Sequence, residues 1–182
     1  MSRLSIAISA EDHLQGNPAA ECNLVEYGDY QCPYCGQAYP VVKRLQKQFG
    51  DSLLFVFRNF PLTELHPWAE GAAETAEFAG SRGKFWEMHD LLFEHQRNFG
   101  QALFLELTET IGLSSADLLS AVNEKTYRSH IRADFAGGVR SGVNGTPTFF
   151  INGQRHNGPF EFISLSRAIE RTLGRHTPSP AE

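Results

Sequence analysis

The sequence predicts an α/β fold in which an all-helical segment is inserted between a βαβ half and a ββα half. A strand–helix–strand pattern runs from Cys22 to Phe60, helical periodicity with short breaks fills Leu62 to about Val143, and a strand, an Asn-Gly turn and a last helix follow Thr146. The boundaries are a lead-in over 1–20, the βαβ half over 21–61, the insertion over 62–143, the ββα half over 144–174 and a flexible tail over 175–182.

The first strand is CNLVEY, Cys22 to Tyr27, a short β-prone run closed by Gly28 and Asp29. From Pro33 onward, Ala38, Val41, Val42, Leu45 and Phe49 recur at helical spacing, and Gly50-Asp51 supplies the stop. Pro40 inside that helix removes one backbone donor and predicts a kink. The near-continuous apolar run LLFVFRNF, Leu53 to Phe60, has the pattern of a strand covered on both faces. Two strands joined through a helix imply a right-handed crossover and a parallel pair.

Within the insertion, helices are predicted over Pro67 to Ser81, Lys84 to His95, Ala102 to Ile111 and Tyr127 to Arg140, with Ser114 and Asp117 forming a capping box for another between the last two. TPTFFIN, Thr146 to Asn152, reads as a strand. Asn152-Gly153 is a hairpin signal leading into Gln154 to Asn157, and a final helix spans about Phe160 to Leu173. The tail RHTPSPAE is too polar and proline-rich to pack.

Composition narrows the function classes. A net charge of −5 without a block of five basic residues leaves no electrostatic footprint for nucleic acid or an anionic membrane. No run approaches a membrane span, so no membrane insertion is expected. The opening MSRLSIAISAED is too short and too polar for a signal segment, which predicts a cytoplasmic address, or a periplasmic or secreted one if a leader has been removed.

The chemistry lies in DYQCPYCGQAYP, Asp29 to Pro40. A bridge between Cys32 and Cys35 would close a loop of only four residues and stabilise the fold by roughly 2 kcal/mol, a weak reason for the pair. A metal centre usually needs four ligands; beyond this pair stand only Cys22 and seven scattered histidines with no second CxxC, so no metal is expected. Redox chemistry fits better. With Pro33 at the first helical position, Cys32 faces the unpaired N–H groups and positive dipole end of the helix, which stabilise the attacking thiolate. Cys35, one turn on, is placed to resolve a mixed disulfide; Cys32 should be exposed and Cys35 buried. Glu26, a carboxylate inside an apolar strand that leads into this loop, should have a raised pKa and could take the proton from Cys35; the alternative is a strand-edge glutamate facing water. Tyr30, Pro33, Tyr34 and Phe149 could form an apolar rim around the cysteines. Cys22 reads as a small buried hydrophobe.

These residues resemble a known family. An acid six positions before the first cysteine, CPYC at a helix start, a proline eight positions after that cysteine, and VNGTPTFFING entering a distant strand look like the thioredoxin superfamily, and the helical insertion is similar to DsbA-like disulfide oxidoreductases. The resemblance spans about Leu24 to Leu173. It implies that Cys32 is the nucleophile, Cys35 the resolving thiol, Glu26 the buried acid, and Thr146-Pro147 a cis-proline loop whose Thr146 backbone pairs with an extended substrate beside Pro33 and Tyr34. It further implies a thiol-disulfide oxidoreductase with no metal or organic cofactor, acting on protein or peptide thiols and reset by a redox-recycling partner. A cytoplasmic or glutathione-coupled reductase, and a redox-sensing or chaperone-like binding module, remain alternatives on the same fold.

Two departures from the family pattern matter. A basic residue near the buried acid is replaced by LLFVF, with Arg58 only at the strand's end. Tyr34 stands where the strongly oxidising periplasmic members carry histidine. A neutral ring adds no positive charge beside Cys32, so a middling potential of about −200 mV is expected.

Overall fold

The computed structural model describes residues 2–174, so the expectation of a flexible tail over 175–182 lies outside the described residues. Five strands form one sheet in the order β1-β3-β2-β4-β5: β1 His13–Gly16, β2 Cys22–Gly28, β3 Leu53–Asn59, β4 Thr148–Ile151 and β5 Gln154–Arg155. The β2–β3 pair is parallel and joined through α1, Pro33–Phe49. The other ladders are antiparallel. Helices α2 Ala69–Gly80, α3 Phe85–Glu94, α4 Gln101–Thr110, α5 Ser115–Asn123 and α6 Arg128–Arg140 lie between β3 and β4, and α7 Phe162–Thr172 follows the hairpin. Ser114 caps α5 by accepting from the Asp117 N–H. Helix α1 runs unbroken through Pro40.

The lead-in over 1–20 is not merely a lead-in. His13–Gly16 adds to the outer edge of β3, and Arg3 forms a single bridge to Gln154 at the opposite edge of the sheet. A four-residue edge strand with one apolar side chain, Leu14, carries almost no periodicity, which is why the pattern did not mark it. Its stabilisation comes from tertiary contacts. Trp86 Nε1 donates to the Leu14 carbonyl at 2.9 Å, and Arg58 binds Asp12 just before it.

Alternation along the two central strands separates two cores. Cys22, Leu24, Leu53, Phe55 and Phe57 face the larger one with α1, α7 and much of the insertion, whereas Val25, Tyr27, Leu54 and Val56 face a smaller one with Phe60 and Val143. Every residue of β3 is buried, as a strand covered on both faces must be. On the larger side Phe57 meets Tyr30, His89 and Phe93 at ring separations of 5.1, 4.7 and 6.2 Å, an aromatic cluster that fixes the loop before the cysteines against α3.

Candidate active site

The end of β2 and the start of α1 form the site. Cys32 is the residue before the first helical turn, with extended backbone (φ −68°, ψ 122°), and Pro33 opens the helix with the fixed φ that suits that position. Contrary to the sequence expectation, Cys32 is only 4% exposed, because the loop before β4 closes over it. Its thiol donates to the Thr146 carbonyl oxygen at 3.3 Å, and the Thr146–Pro147 peptide bond is cis. Cys35 is fully buried on the first inward-facing turn of α1, where the Asp29 N–H donates to its sulfur at 3.4 Å. All three cysteines are unbridged.

The two neighbouring sulfurs have opposite acidities. Donation from the Cys35 thiol is the largest influence lowering Cys32 to about 5; burial works against it, and Thr146 with the N–H groups of Cys35 and Tyr34 adds to the lowering. Burial, and next its donation to Cys32, push Cys35 well above the usual thiol range. Cys22 is raised to about 11 by burial alone, an inert thiol packed in the core.

Glu26 is 2% exposed in the middle of β2, between Phe57 on β3 and Phe149 on β4, so it is no edge residue. Burial first, and the charge of Cys32 second, raise its pKa to about 8. Its Oε1 has no hydrogen-bond partner. Gly28 makes the space: a Cβ there would stand 2.4 Å from the Phe57 ring and 3.2 Å from Glu26 Oε1. Arg58, one position beyond Phe57, points to the opposite face of the sheet and binds Asp12, the Tyr27 hydroxyl and two backbone carbonyls there.

The structure brings Cys32, Cys35, Glu26 and Thr146-Pro147 together but dissolves the proposed rim. Tyr30 and Phe149 are buried at 1% and 3%, absorbed by the aromatic cluster and the β2–β4 ladder. Only Pro33 and Tyr34 remain at the surface, Tyr34 with 60% of its area exposed.

Two residues that pattern reading missed hold the loop. Gln96, from the 3₁₀ turn after α3, donates from one amide nitrogen to the carbonyls of Tyr30 and Cys32 at 2.7 and 2.8 Å, and only glycine at position 36 leaves room for its side chain. Asp29, 1% exposed, accepts from the N–H groups of Gln31 and Leu62 and contacts His66 Nδ1 at 2.7 Å. Asp29 beside a Gly and before CxxC reads as a turn residue, and nothing local marks Gln96.

The family model described as thioredoxin matches residues 9–171 of this chain. The chain belongs to that family. Its fold is that of BdbD from Bacillus subtilis, with a TM-score of 0.85 at 22% identity over 96% of this chain and 100% of that one, and of α-DsbA1 from Wolbachia pipientis, with 0.80 at 20% identity over 92% and 94%. A thioredoxin-like oxidoreductase from Silicibacter pomeroyi superposes with a TM-score of 0.78 at 26% identity over 91% and 94% of the two chains. The fold is therefore DsbA-like, and one of the proteins that share it is described as a thioredoxin-like oxidoreductase. In sequence, 158 residues are 44% identical to the Na(+)/H(+) antiporter NhaA 1 of Salinispora arenicola, covering 87% of this chain and 24% of that protein. The chain spans about a quarter of the length of the curated relatives it matches. No helix among the described residues is long and apolar enough to cross a membrane.

Proposed function

We propose that this chain is a thiol-disulfide oxidoreductase that exchanges disulfides with extended protein or peptide thiols through a mixed disulfide on Cys32. The observation that carries the reading is the inequality of two sulfurs at one helix start, Cys32 lowered to about 5 and Cys35 raised by burial. A staple or a metal clamp has no use for such an inequality. A resolving pair does, because the easily ionised sulfur must leave and attack readily while the other waits protonated.

In the oxidising direction a substrate thiolate attacks Cys32 Sγ, the Cys32–Cys35 bond breaks and Cys35 leaves as a thiolate in an apolar pocket. Glu26, protonated below about pH 8, is the acid that returns a proton to it. A second substrate thiolate then attacks the substrate sulfur of the mixed disulfide and expels Cys32 as the stable thiolate. The substrate has lost two electrons and the enzyme has gained them, so a redox-recycling partner bearing a disulfide must reoxidise the pair. Reduction of a substrate is the same sequence reversed, with Glu26 taking the Cys35 proton. The Thr146 backbone faces Cys32 from one side and Pro33 with Tyr34 border it at the surface, a setting for an extended peptide that forms main-chain hydrogen bonds.

Trapping tests the reading. Cys35→Ser should accumulate a mixed disulfide between Cys32 and a cysteine-containing peptide, visible as a reductant-sensitive mass addition, and Cys32→Ser should lose disulfide turnover altogether. Retained turnover in Cys32→Ser, or failure of Cys35→Ser to hold any partner, would sink the mechanism.

A further inference from the structure

At the outer edge of the sheet, where His13 pairs with Phe57 and stacks on Phe85, three segments distant in sequence converge on one carboxylate. Glu77 Oε1, on α2, is 2.8 Å from His13 Nε2 on β1 and 3.7 Å from His130 Nε2 on α6. The three candidate ligand atoms lie within 4.8 Å of one another. Ligands of a tetrahedral zinc ion, at bonds of about 2.0–2.2 Å, stand roughly 3.3–3.6 Å apart, so small side-chain rotations would enclose an ion. Both imidazoles present the same ring nitrogen to one oxygen, an arrangement in which a single ion could replace the proton and satisfy all three.

The surroundings are built as a ligand shell is built. The Asn59 side-chain amide donates to Glu77 Oε1 at 2.7 Å and to Asp134 Oδ2 at 3.4 Å, and the Asn59 backbone N–H donates to that same Asp134 oxygen at 2.9 Å. Asn59 itself is 1% exposed and its Oδ1 has no partner. Such outer donors fix ligating carboxylates. His13 is held flat against Phe85 at 3.4 Å between ring centres. Asp134 is 3.8 Å from His130 Nε2 on the solvent side, beside an open cleft of about 180 Å³ that Glu11 and Asp12 also line. Arg58 and Arg140 share that wall, and Arg58 is already neutralised by Asp12. A cation therefore has an entry path and an acidic neighbour at the open coordination position.

We propose that His13, Glu77 and His130 bind one divalent transition-metal ion of zinc's class, with the fourth position open toward Asp134 and the cleft. Two imidazoles and one carboxylate suit zinc or cobalt over the all-oxygen preference of calcium. The ion is structural: it ties the edge strand β1 to α2 and α6 of the inserted helices, and it stands apart from Cys32 and Cys35. The proposal is independent of the redox reading, and the test separates the two by removing the thiols.

Co²⁺ added to the full chain carrying Cys32→Ser and Cys35→Ser should bind with one-to-one stoichiometry by calorimetry, give visible d–d absorption without a thiolate charge-transfer band, and be displaced by Zn²⁺. Zn²⁺ should raise Tm with concentration. His130→Ala, chosen because that ring is 36% exposed and its loss leaves the core intact, should weaken Co²⁺ binding by about tenfold or more, and His13→Gln should do the same. Absence of saturable binding overturns the proposal, as does binding that both histidine variants leave unchanged, or stoichiometric displacement of Co²⁺ by Ca²⁺.

Discussion

Glu26 and Arg58 occupy adjacent rungs of the β2–β3 ladder, Glu26 opposite Phe57 and Arg58 opposite Tyr27, yet they live in opposite chemical worlds. Both are buried, at 2% and 3%. Arg58 faces the smaller core and meets Asp12 at 2.6 and 3.0 Å, the Tyr27 hydroxyl and the carbonyls of Ile6 and Ala7, so its charge is matched donor by donor. Glu26 faces the cysteines with an oxygen that no donor reaches. A buried charge with a full set of partners is a fixed structural element. One without partners titrates near neutrality, which is what a proton carrier needs. The strand pair thus separates architecture from chemistry by alternation alone.

Glu26→Gln breaks the comparison most strongly. A carboxyl whose folded pKa is about 8 against an ordinary 4.5 binds its proton more tightly in the folded state. Its contribution to stability is therefore full below about pH 4.5 and is lost as pH rises through 8. At about 1.4 kcal/mol per unit the loss across that window is up to about 5 kcal/mol. Denaturant unfolding of the oxidised protein, where neither Cys32 nor Cys35 titrates, should show this slope in the parent and a shallower profile in Glu26→Gln, where the buried Asp134, raised to about 6, still titrates; the variant also slows turnover by about 10²-fold. Equal pH slopes in the two proteins would mean that Glu26 is not the titrating group. Asp12→Ala attacks the other rung. It leaves the Arg58 charge buried without its carboxylate and should cost about 3–5 kcal/mol in denaturant unfolding, with the activity of the surviving folded protein unchanged. A cost near zero would place Arg58 in solvent, against its burial.

Gly28→Ala comes next, because it presses on the cavity of Glu26 itself. The new methyl meets the Phe57 ring at 2.4 Å, and overpacking of this kind costs about 1–3 kcal/mol. It should also change the pH at which the reduced Cys35 reacts, since Glu26 Oε1 lies within reach of the same methyl. A stability loss with an unmoved pH profile would separate packing from proton transfer.

How much of this was legible follows from whether the signal was local. CPYC, the carboxylate inside an apolar strand and Thr146-Pro147 are each visible as residue types at telling positions, and the fold brings them to one place. The degree of burial was not legible. Cys32 is covered by a loop that begins more than a hundred residues later, and Tyr30 and Phe149, which pattern reading placed on a rim, are held inward by α3 and by strand pairing. Gln96 and Asp29 act through hydrogen bonds to backbone, which leave no periodicity. The His13–Glu77–His130 cluster was missed for a related reason. Its ligands sit on three segments, and a search for clustered cysteines and paired histidines passes over His130 and Asp134, which are one turn apart on α6.

Tyr34 supplies the smallest effect and the finest test of what sets redox strength here. Its ring is 60% exposed and uncharged, and Cys32 is lowered to about 5 chiefly by donation from Cys35, with no cation among the causes. Hydrogen bonds alone therefore supply the thiolate's stability, and the pH sign follows. A thiol depressed from 9 to about 5 favours the reduced folded state increasingly as pH rises from about 5 to 9, and that advantage is lost as pH falls through 5. Tyr34→His should add a positive charge beside the thiolate below the imidazole pKa, stabilise the reduced form and raise the potential, by about 30 mV for each tenfold change in the equilibrium with glutathione. Exposure of position 34 limits the shift to about one such step, and added salt should shrink it. The increment should also fade above about pH 7, as the new imidazole loses its proton. An increment that persists unchanged at pH 9 would show that the ring acts through packing, and the hydrogen-bond account of Cys32 would then have to include the side chain that Tyr34 now presents.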